Sequence, residues 1–196
     1  MAWITPVTLR GRHAALEPLG VGHVDALVEA ARDGELWKLW YTSVPTPEKM
    51  AENIAFRLDW QARGGMQAFV VRDLSCDRIV GATSYCNMVE AHKRVEIGYT
   101  WYAGSVQRSA VNTQCKLLLL THAFEQLGCM GVEFRTHWIN QQSRRAIERL
   151  GAKLDGVLRN HQIQPDGSLR DTCVYSIVAH EWPAIRNHLN FKLDNR

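Results

Sequence analysis

Arg94 to Leu127 constrains the fold more than any other stretch, because it reads as a strand, a tight loop and a long helix in direct succession. Over Arg94 to Tyr102 the residues alternate. Val95, Ile97 and Tyr99 fall on one face of a strand, and Glu96, Gly98 and Thr100 on the other. A short loop, Ala103 to Ala110, leads into a helix from Val111 to Leu127, stopped by Gly128. A helix starting this way offers free N–H groups and the positive end of its dipole, which suits a pyrophosphate. An ordinary strand-to-helix connection is the other reading.

The remaining elements alternate around this unit. Thr8 to Leu19 predicts a first strand, and Val21 to Arg32 a helix with Val24, Leu27, Val28 and Ala31 on one face. An aromatic connection, Glu35 to Pro45, precedes a second helix that Thr46-Pro47-Glu48 starts and Gly64-Gly65 ends. Gln67 to Arg72 and Arg78 to Asn87 read as strands joined by a turn. Beyond the long helix come a strand, Val132 to Trp138, and a helix, Asn140 to Leu150. A hairpin turned at Pro165-Asp166-Gly167 and a last helix, Glu181 to Leu193, complete a mixed α/β order with seven strands.

A chain of 196 residues, 46% hydrophobic and 22% charged, suits one domain covering residues 1–196. The net charge of +3, with no run of Lys or Arg, favours an anionic cofactor and points to no nucleic-acid partner. The five cysteines are an odd number and contain no C-x-x-C pair, so neither a disulfide framework nor a metal site is expected. Reduced thiols in a cytoplasm fit this usage. Arg10, Arg12 and Glu17 break up the start of the chain, and Leu117 to Leu120 is too short to span a bilayer. No leader and no membrane partner are therefore expected.

Glu96 to Phe124, EIGYTWYAGSVQRSAVNTQCKLLLLTHAF, resembles the acetyl-CoA motif of the GNAT superfamily of N-acetyltransferases. The family pattern is Q-x-x-G-x-G/A, and Gln107-Arg108-Ser109-Ala110-Val111-Asn112 falls at the matching place, with Ala110 and Asn112 where the family usually has Gly. LRGRHAALEPL at Leu9 to Leu19, NQQSRRAIERLGA at Asn140 to Ala152 and RDTCVYSI at Arg170 to Ile177 extend the likeness over Thr8 to Trp182, nearest the ribosomal-protein N-terminal acetyltransferases. The resemblance implies an α/β (α+β) GNAT fold. Its central sheet would be mixed and mostly antiparallel, of about seven strands, with helices on both faces and a cleft splayed between the fourth and fifth strands. It implies acetyl-CoA as cosubstrate, no metal, a primary amine as acceptor (a protein N-terminus or a small molecule), and a homodimer as one possible assembly. A non-catalytic module that senses acyl-CoA is the alternative.

By the same resemblance, the coenzyme would meet Trp101, Tyr102 and Ala103 on the strand edge and Gln107, Arg108, Ser109, Ala110, Val111, Asn112 and Thr113 at the helix start, then Asn140 and Ser143. Asn tolerates left-handed backbone and Ala is small, so the loop should survive the loss of glycine. Asn140 is also a plain helix cap. Ser143 is nominated to hold or protonate the leaving thiolate, against an ordinary surface serine. Glu96 is costly to bury unless it is partnered or has work to do, so it is either the base that takes the amine proton or half of a salt bridge. Trp37, Trp40 and Tyr41 either shape the acceptor site or pack on the core. His137, His161 and Tyr175 are further polar groups, each with a structural reading.

Overall fold

The computed structural model describes residues 3–195; Met1, Ala2 and Arg196, the ends of the expected 1–196 domain, lie outside the described residues. Its strands are β1 (Leu9–Arg10), β2 (Ala14–Pro18), β3 (Met66–Asp73), β4 (Arg78–Val89), β5 (Arg94–Tyr102), β6 (Gly131–His137), β7 (Lys153–Ile163) and β8 (Leu169–Val178). Its α-helices are α1 (Val24–Arg32), α2 (Met50–Ala62), α3 (Ala110–Thr121), α4 (Gln141–Glu148) and α5 (Trp182–Asp194). They build one 8-stranded sheet in the order β1-β2-β3-β4-β5-β6-β8-β7, antiparallel except for the parallel pair β5–β6.

The eighth strand arises because the predicted first strand is a hairpin. Leu9 pairs with Leu16, Arg10 with Ala15, and the Gly11 N–H closes the turn on the Ala14 carbonyl. The turn depends on α3, whose Gln114 Oε1 accepts the N–H groups of Arg12 and His13. A Cβ on Gly11 would meet the Gln114 side chain at 2.4 Å, so a larger residue there would push aside a partner about a hundred residues away. Nothing in the local sequence signals it.

Helices α1 and α2 cover one face of the sheet, over β4 and β3, and α3, α4 and α5 cover the other. α1 buries Leu27, Ala30 and Ala31, and α2 buries Met50 and Ile54 but also Arg57. Thr46 starts the turn ahead of α2, yet its hydroxyl bonds the Glu48 carboxylate instead of capping the helix. On the opposite face Phe69, Tyr85, Leu119, Leu120, Phe134 and Ile177 are buried together. The Tyr85 hydroxyl donates to the Leu119 carbonyl at 2.5 Å, tying α3 to the sheet. α3 loosens into one π-helical turn, His122–Gln126, before Gly128. No helix among the described residues is long and apolar enough to cross a membrane.

Candidate active site

The expected splay is present between β5 and β6. Their ladder holds only Arg94 to Gly131, Val95 to Val132 and Glu96 to Glu133. Beyond Glu96, β5 stays with β4 while β6 stays with β8 along its whole length. A β-bulge drives the two apart. Ser84 pairs with Gly98 and Ala82 with Trp101, so Tyr99 and Thr100 both stand opposite Thr83, and Tyr99 takes a positive φ of 52°.

The bulge also reverses the predicted alternation. Val95 and Ile97 face α3, but the Tyr99 ring lies against Trp60 and Arg57 of α2. Thr100 turns the other way, accepting a hydrogen bond from Lys116 Nζ of α3 at 3.1 Å. Tyr99 thus leaves the Val95–Ile97 face, and Thr100 leaves the Glu96–Gly98 face. Arg57 holds the bulge from beneath, with Nη2 3.2 Å from the Tyr99 carbonyl and Nε 3.0 Å from Asn53 Oδ1. It has no carboxylate partner among the described residues, and burial brings its guanidinium down to about 10.

Glu96 sits where the ladder ends, on the α2 face. Its Oε2 accepts from Asn87 Nδ2 at 2.7 Å and lies 3.4 Å from Arg135 Nε. Its Oε1 lies over Gly98, where a Cβ would stand 3.0 Å away. Glu96 is therefore in the salt bridge that was one reading of it, with its other oxygen beside Gly98. Burial raises its pKa above the usual carboxylate range, with the Asn87 bond and the Arg135 charge opposing. Glu133, beside it, behaves oppositely: burial would raise it, but bonds from Arg94 and Arg135 hold it low.

The α3 start lies at the far end of the gap. Ser109 caps the helix, accepting the Val111 N–H at 3.2 Å, so Val111 and its buried neighbour Thr113 serve the fold. Arg108, with φ of 64°, is the left-handed residue of this turn. Ala110 and Asn112 are helical, so their side chains replace glycine at no backbone strain, and the tolerance of Asn for left-handed angles is not called upon. The N–H groups of the first turn have no helical carbonyl within reach. Asn112 Oδ1 is buried without a partner among the described residues.

On the strand edge the groups differ. The Ala103 N–H is taken by the Val80 carbonyl at 2.8 Å, and its own carbonyl by Val106, so Ala103 has no backbone group to spare. Trp101 is buried against Leu27, Met50 and Ile54, and Tyr102 is half-buried with its hydroxyl turned to the Cys115 thiol of α3. Gln107 Nε2 donates to the Tyr102 carbonyl at 3.4 Å, and its Oε1 accepts from Gln142 Nε2 of α4 at 3.2 Å, bridging the mouth. Asn140 caps α4 on the Ser143 N–H at 3.0 Å, leaving the Ser143 hydroxyl half-buried at the first turn.

Glu96 and Ser143 come to the gap from opposite faces of the sheet, Glu96 from the α2 side and Ser143 from the α4 side. An unpaired strand edge, a free helix start and a polar side chain on each lip fit an extended arm ending in an anion, as coenzyme A has. Trp40 reaches the α2 side, edge-on to His137 at 5.5 Å and to Tyr41 at 5.7 Å, while Trp37 packs on the core. Tyr175 is bound to Arg144 and Glu148 on α4, and His161 to Thr172 Oγ1, so both are structural. Asn87, Arg135, Arg57 and Lys116 were missed. For Arg135 a signal existed: Glu133, Arg135 and His137 alternate with Val132, Phe134 and Thr136. The others need the fold.

Residues 14–153 match the family model described as an acetyltransferase (GNAT) domain. The chain is 29% identical over 128 residues, 63% of its length and 67% of the other's, to YdaF of Bacillus subtilis (strain 168), whose name assigns it provisionally to the ribosomal N-acetyltransferases. A crystal structure of a provisionally assigned acetyltransferase from T. thermophilus superposes with a TM-score of 0.85 at 33% identity, covering 97% of this chain and 99% of that one. RimJ of Mycobacterium smegmatis, solved in complex with CoA-disulfide, shares the fold with a TM-score of 0.80 at 20% identity, over 95% of each chain. With this match spanning most of the sheet and the whole of the splayed cleft's β5 and α3, the chain belongs to the GNAT family of acetyl-CoA-dependent N-acetyltransferases.

Proposed function

We propose that the chain acetylates a primary amine by direct attack, with coenzyme A along the open edge of β5, the acceptor on the Glu96 side and Ser143 at the leaving sulfur. The splay beyond Glu96 carries this reading, because it gives the acyl carbon two approaches, one on each face of the sheet. The amine nitrogen bonds to the carbonyl carbon as the C–S bond breaks. Glu96 takes the proton the amine loses, and the Ser143 hydroxyl donates to the departing thiolate. Holding amine and thioester together supplies most of the acceleration.

An α-amino acceptor leaves the base a lighter task than a lysine does. Such a group, with a pKa of about 8, is roughly one-tenth neutral at pH 7, whereas a lysine amine near 10.4 is neutral in well under a thousandth of molecules. A protein N-terminus or a small molecule with an α-amino group follows from this. The pyrophosphate takes the first turn of α3, with Gln107, Arg108 and Ser109 around it, and Trp101, Tyr102 and Thr100 give the strand edge. Trp40 and Tyr41 border the acceptor. The 1–196 single-domain organisation belongs to the same proposal, supported by one continuous core from β1 to α5. Four buried free cysteines suit a reducing cytoplasm.

Acetyl-CoA is expected to bind with micromolar affinity by calorimetry, and free thiol to appear when an α-amino compound is added. Binding with no thiol release across a broad panel of amines and peptides would return the chain to an acyl-CoA sensor.

A further inference from the structure

On the α2 face, β6 carries charged and polar side chains, and β8 carries Thr172 and Ser176 on either side of Val174. Glu133, Arg135 and His137 alternate on β6, and Thr172, directly opposite His137, shares their face. Arg170 joins them, because its Nε is 3.1 Å from Thr172 Oγ1. Arg170 is near enough for its charge to act on Glu96, Tyr99 and His137. Trp40 closes this space from the α1–α2 connection.

The charges on this face do not balance. Arg94 and Arg135 pair with Glu133 and Glu96. Arg170, half-buried, has no carboxylate within ion-pair distance among the described residues. His137 supplies an unmet donor. Its Nδ1 accepts the Ile139 N–H at 3.2 Å, which places the proton of the neutral ring on Nε2. That Nε2 is buried without a partner among the described residues, on a side chain only 4% exposed. Buried donors are normally satisfied, so an unmet imidazole N–H beside a guanidinium with no carboxylate partner marks a place for an anionic acceptor of hydrogen bonds.

We infer that the acceptor carries a carboxylate beside its amine, with the amine taken by Glu96 and the carboxylate by Arg170 and His137 Nε2. This rests on the placement of the acceptor on the Glu96 side. A purely cationic amine is disfavoured there, because it would add to the unbalanced positive charge of Arg170. The ligand chemistry is an amine–carboxylate, and its source is either a free amino acid or a peptide whose first residues include Asp or Glu.

Calorimetry with the enzyme saturated with coenzyme A, where no acetyl group is available, reads acceptor binding apart from turnover. One arm compares L-amino acids with their amides. The other compares Ala-Glu and Ala-Gln dipeptide amides. The carboxylate member is expected to bind at least about tenfold tighter in one arm, the size of a lost charged hydrogen bond. R170Q should bring that ratio below about threefold, and R170K, which keeps the charge, should hold it above that of R170Q. Equal affinities in both arms, no binding by either member, or an R170Q ratio like that of wild type would overturn the inference. Thiol release from acetyl-CoA, measured separately, decides acetyl transfer itself, so the two can fail independently.

Discussion

The sheet has two halves that obey different rules. In β3, and in β4 from Ile79 to Cys86, nearly every residue is buried, because α1 and α2 press on one face and α3 on the other. Past β5 only the face toward α3, α4 and α5 is apolar, with Phe134, Tyr175 and Ile177, and the other face carries Glu133, Arg135, His137 and Arg170. The boundary falls on β5, where pairing with β6 stops at Glu96 and the bulge at Tyr99 turns the strand away. The well-packed half fixes geometry. The polar half has donors and charges that its own structure does not use up, and chemistry can take place at the seam.

The strongest way to break this contrast is to disarm the carboxylate that stands where the β5–β6 ladder ends. Glu96→Gln keeps the shape and the Asn87 contact but cannot accept a proton. Turnover is expected to fall about a hundredfold or more, the usual range for a general base. Affinity for coenzyme A should stay within twofold. Because burial raises the pKa of Glu96, the wild-type rate should climb with pH on a limb displaced above the usual carboxylate range, and the variant should lack that limb. An unchanged rate would reduce Glu96 to the structural half of its salt bridge.

Lys116 tests the seam from below. Its ammonium touches Thr100 of β5 and lies 5.8 Å from the ring centre of Phe134 on β6, so it spans the two strands that do not pair. It is fully inside, with no carboxylate partner among the described residues, and burial lowers its pKa from 10.5 to about 8. Such a drop corresponds to at most about 3 kcal/mol. The folded state releases this proton earlier than the unfolded chain, so stability is reduced below pH 8 and recovers as pH rises from there toward 10.5. Above about pH 9 the buried thiols of Cys86 and Cys115, held protonated by burial, pull the other way. Lys116→Met is expected to stabilise the protein by about 1–3 kcal/mol at pH 7 in urea denaturation and to abolish the gain between pH 7 and 9 seen in wild type. Equal pH dependence in the two proteins would contradict a charged Lys116 inside the fold.

Much of the packed half was legible, since β3 and β4 are apolar runs joined by turn residues and β5 alternates as far as Gly98, all signals that act locally. What was not legible came from contacts between distant segments. The β1–β2 hairpin hangs on Gln114, and the phase of β5 after Gly98 depends on a bulge that Arg57 and Lys116 hold from opposite faces. Alternation read through Tyr99 therefore put two side chains on the wrong faces. The positions of Glu96, Asn140 and Ser143 at the gap followed from resemblance, because each type also has a structural use that spacing does not exclude.

Arg57 offers a smaller effect that separates positioning from folding. Arg57→Met removes a buried cation with no counter-ion, a change that is often close to neutral for stability, within about 1 kcal/mol. It also removes the donor that fixes the Tyr99 carbonyl. The turnover number should drop about tenfold while the melting temperature moves little, because the bulge would keep its packing but lose its hold on the edge facing the thioester. Restoration by Arg57→Lys of part of the rate would confirm that the donor matters, whereas full activity in Arg57→Met would mean that β5 holds its bulge unaided.

The smallest effect is expected on the α4 lip. Ser143 donates its backbone N–H to Asn140 Oδ1, and that bond survives Ser143→Ala. Only the hydroxyl is lost, so stability should not change measurably. A thiolate is already a good leaving group, and it can take a proton from water, so the hydroxyl is expected to contribute about three- to tenfold in turnover. The effect should shrink when the leaving group is made more acidic, as in a thioester of an aryl thiol, because such a thiolate needs less help. Equal losses with both thioesters would place Ser143 in binding. A loss of stability of about 1 kcal/mol would instead mean that the cap, and not the hydroxyl, had been disturbed.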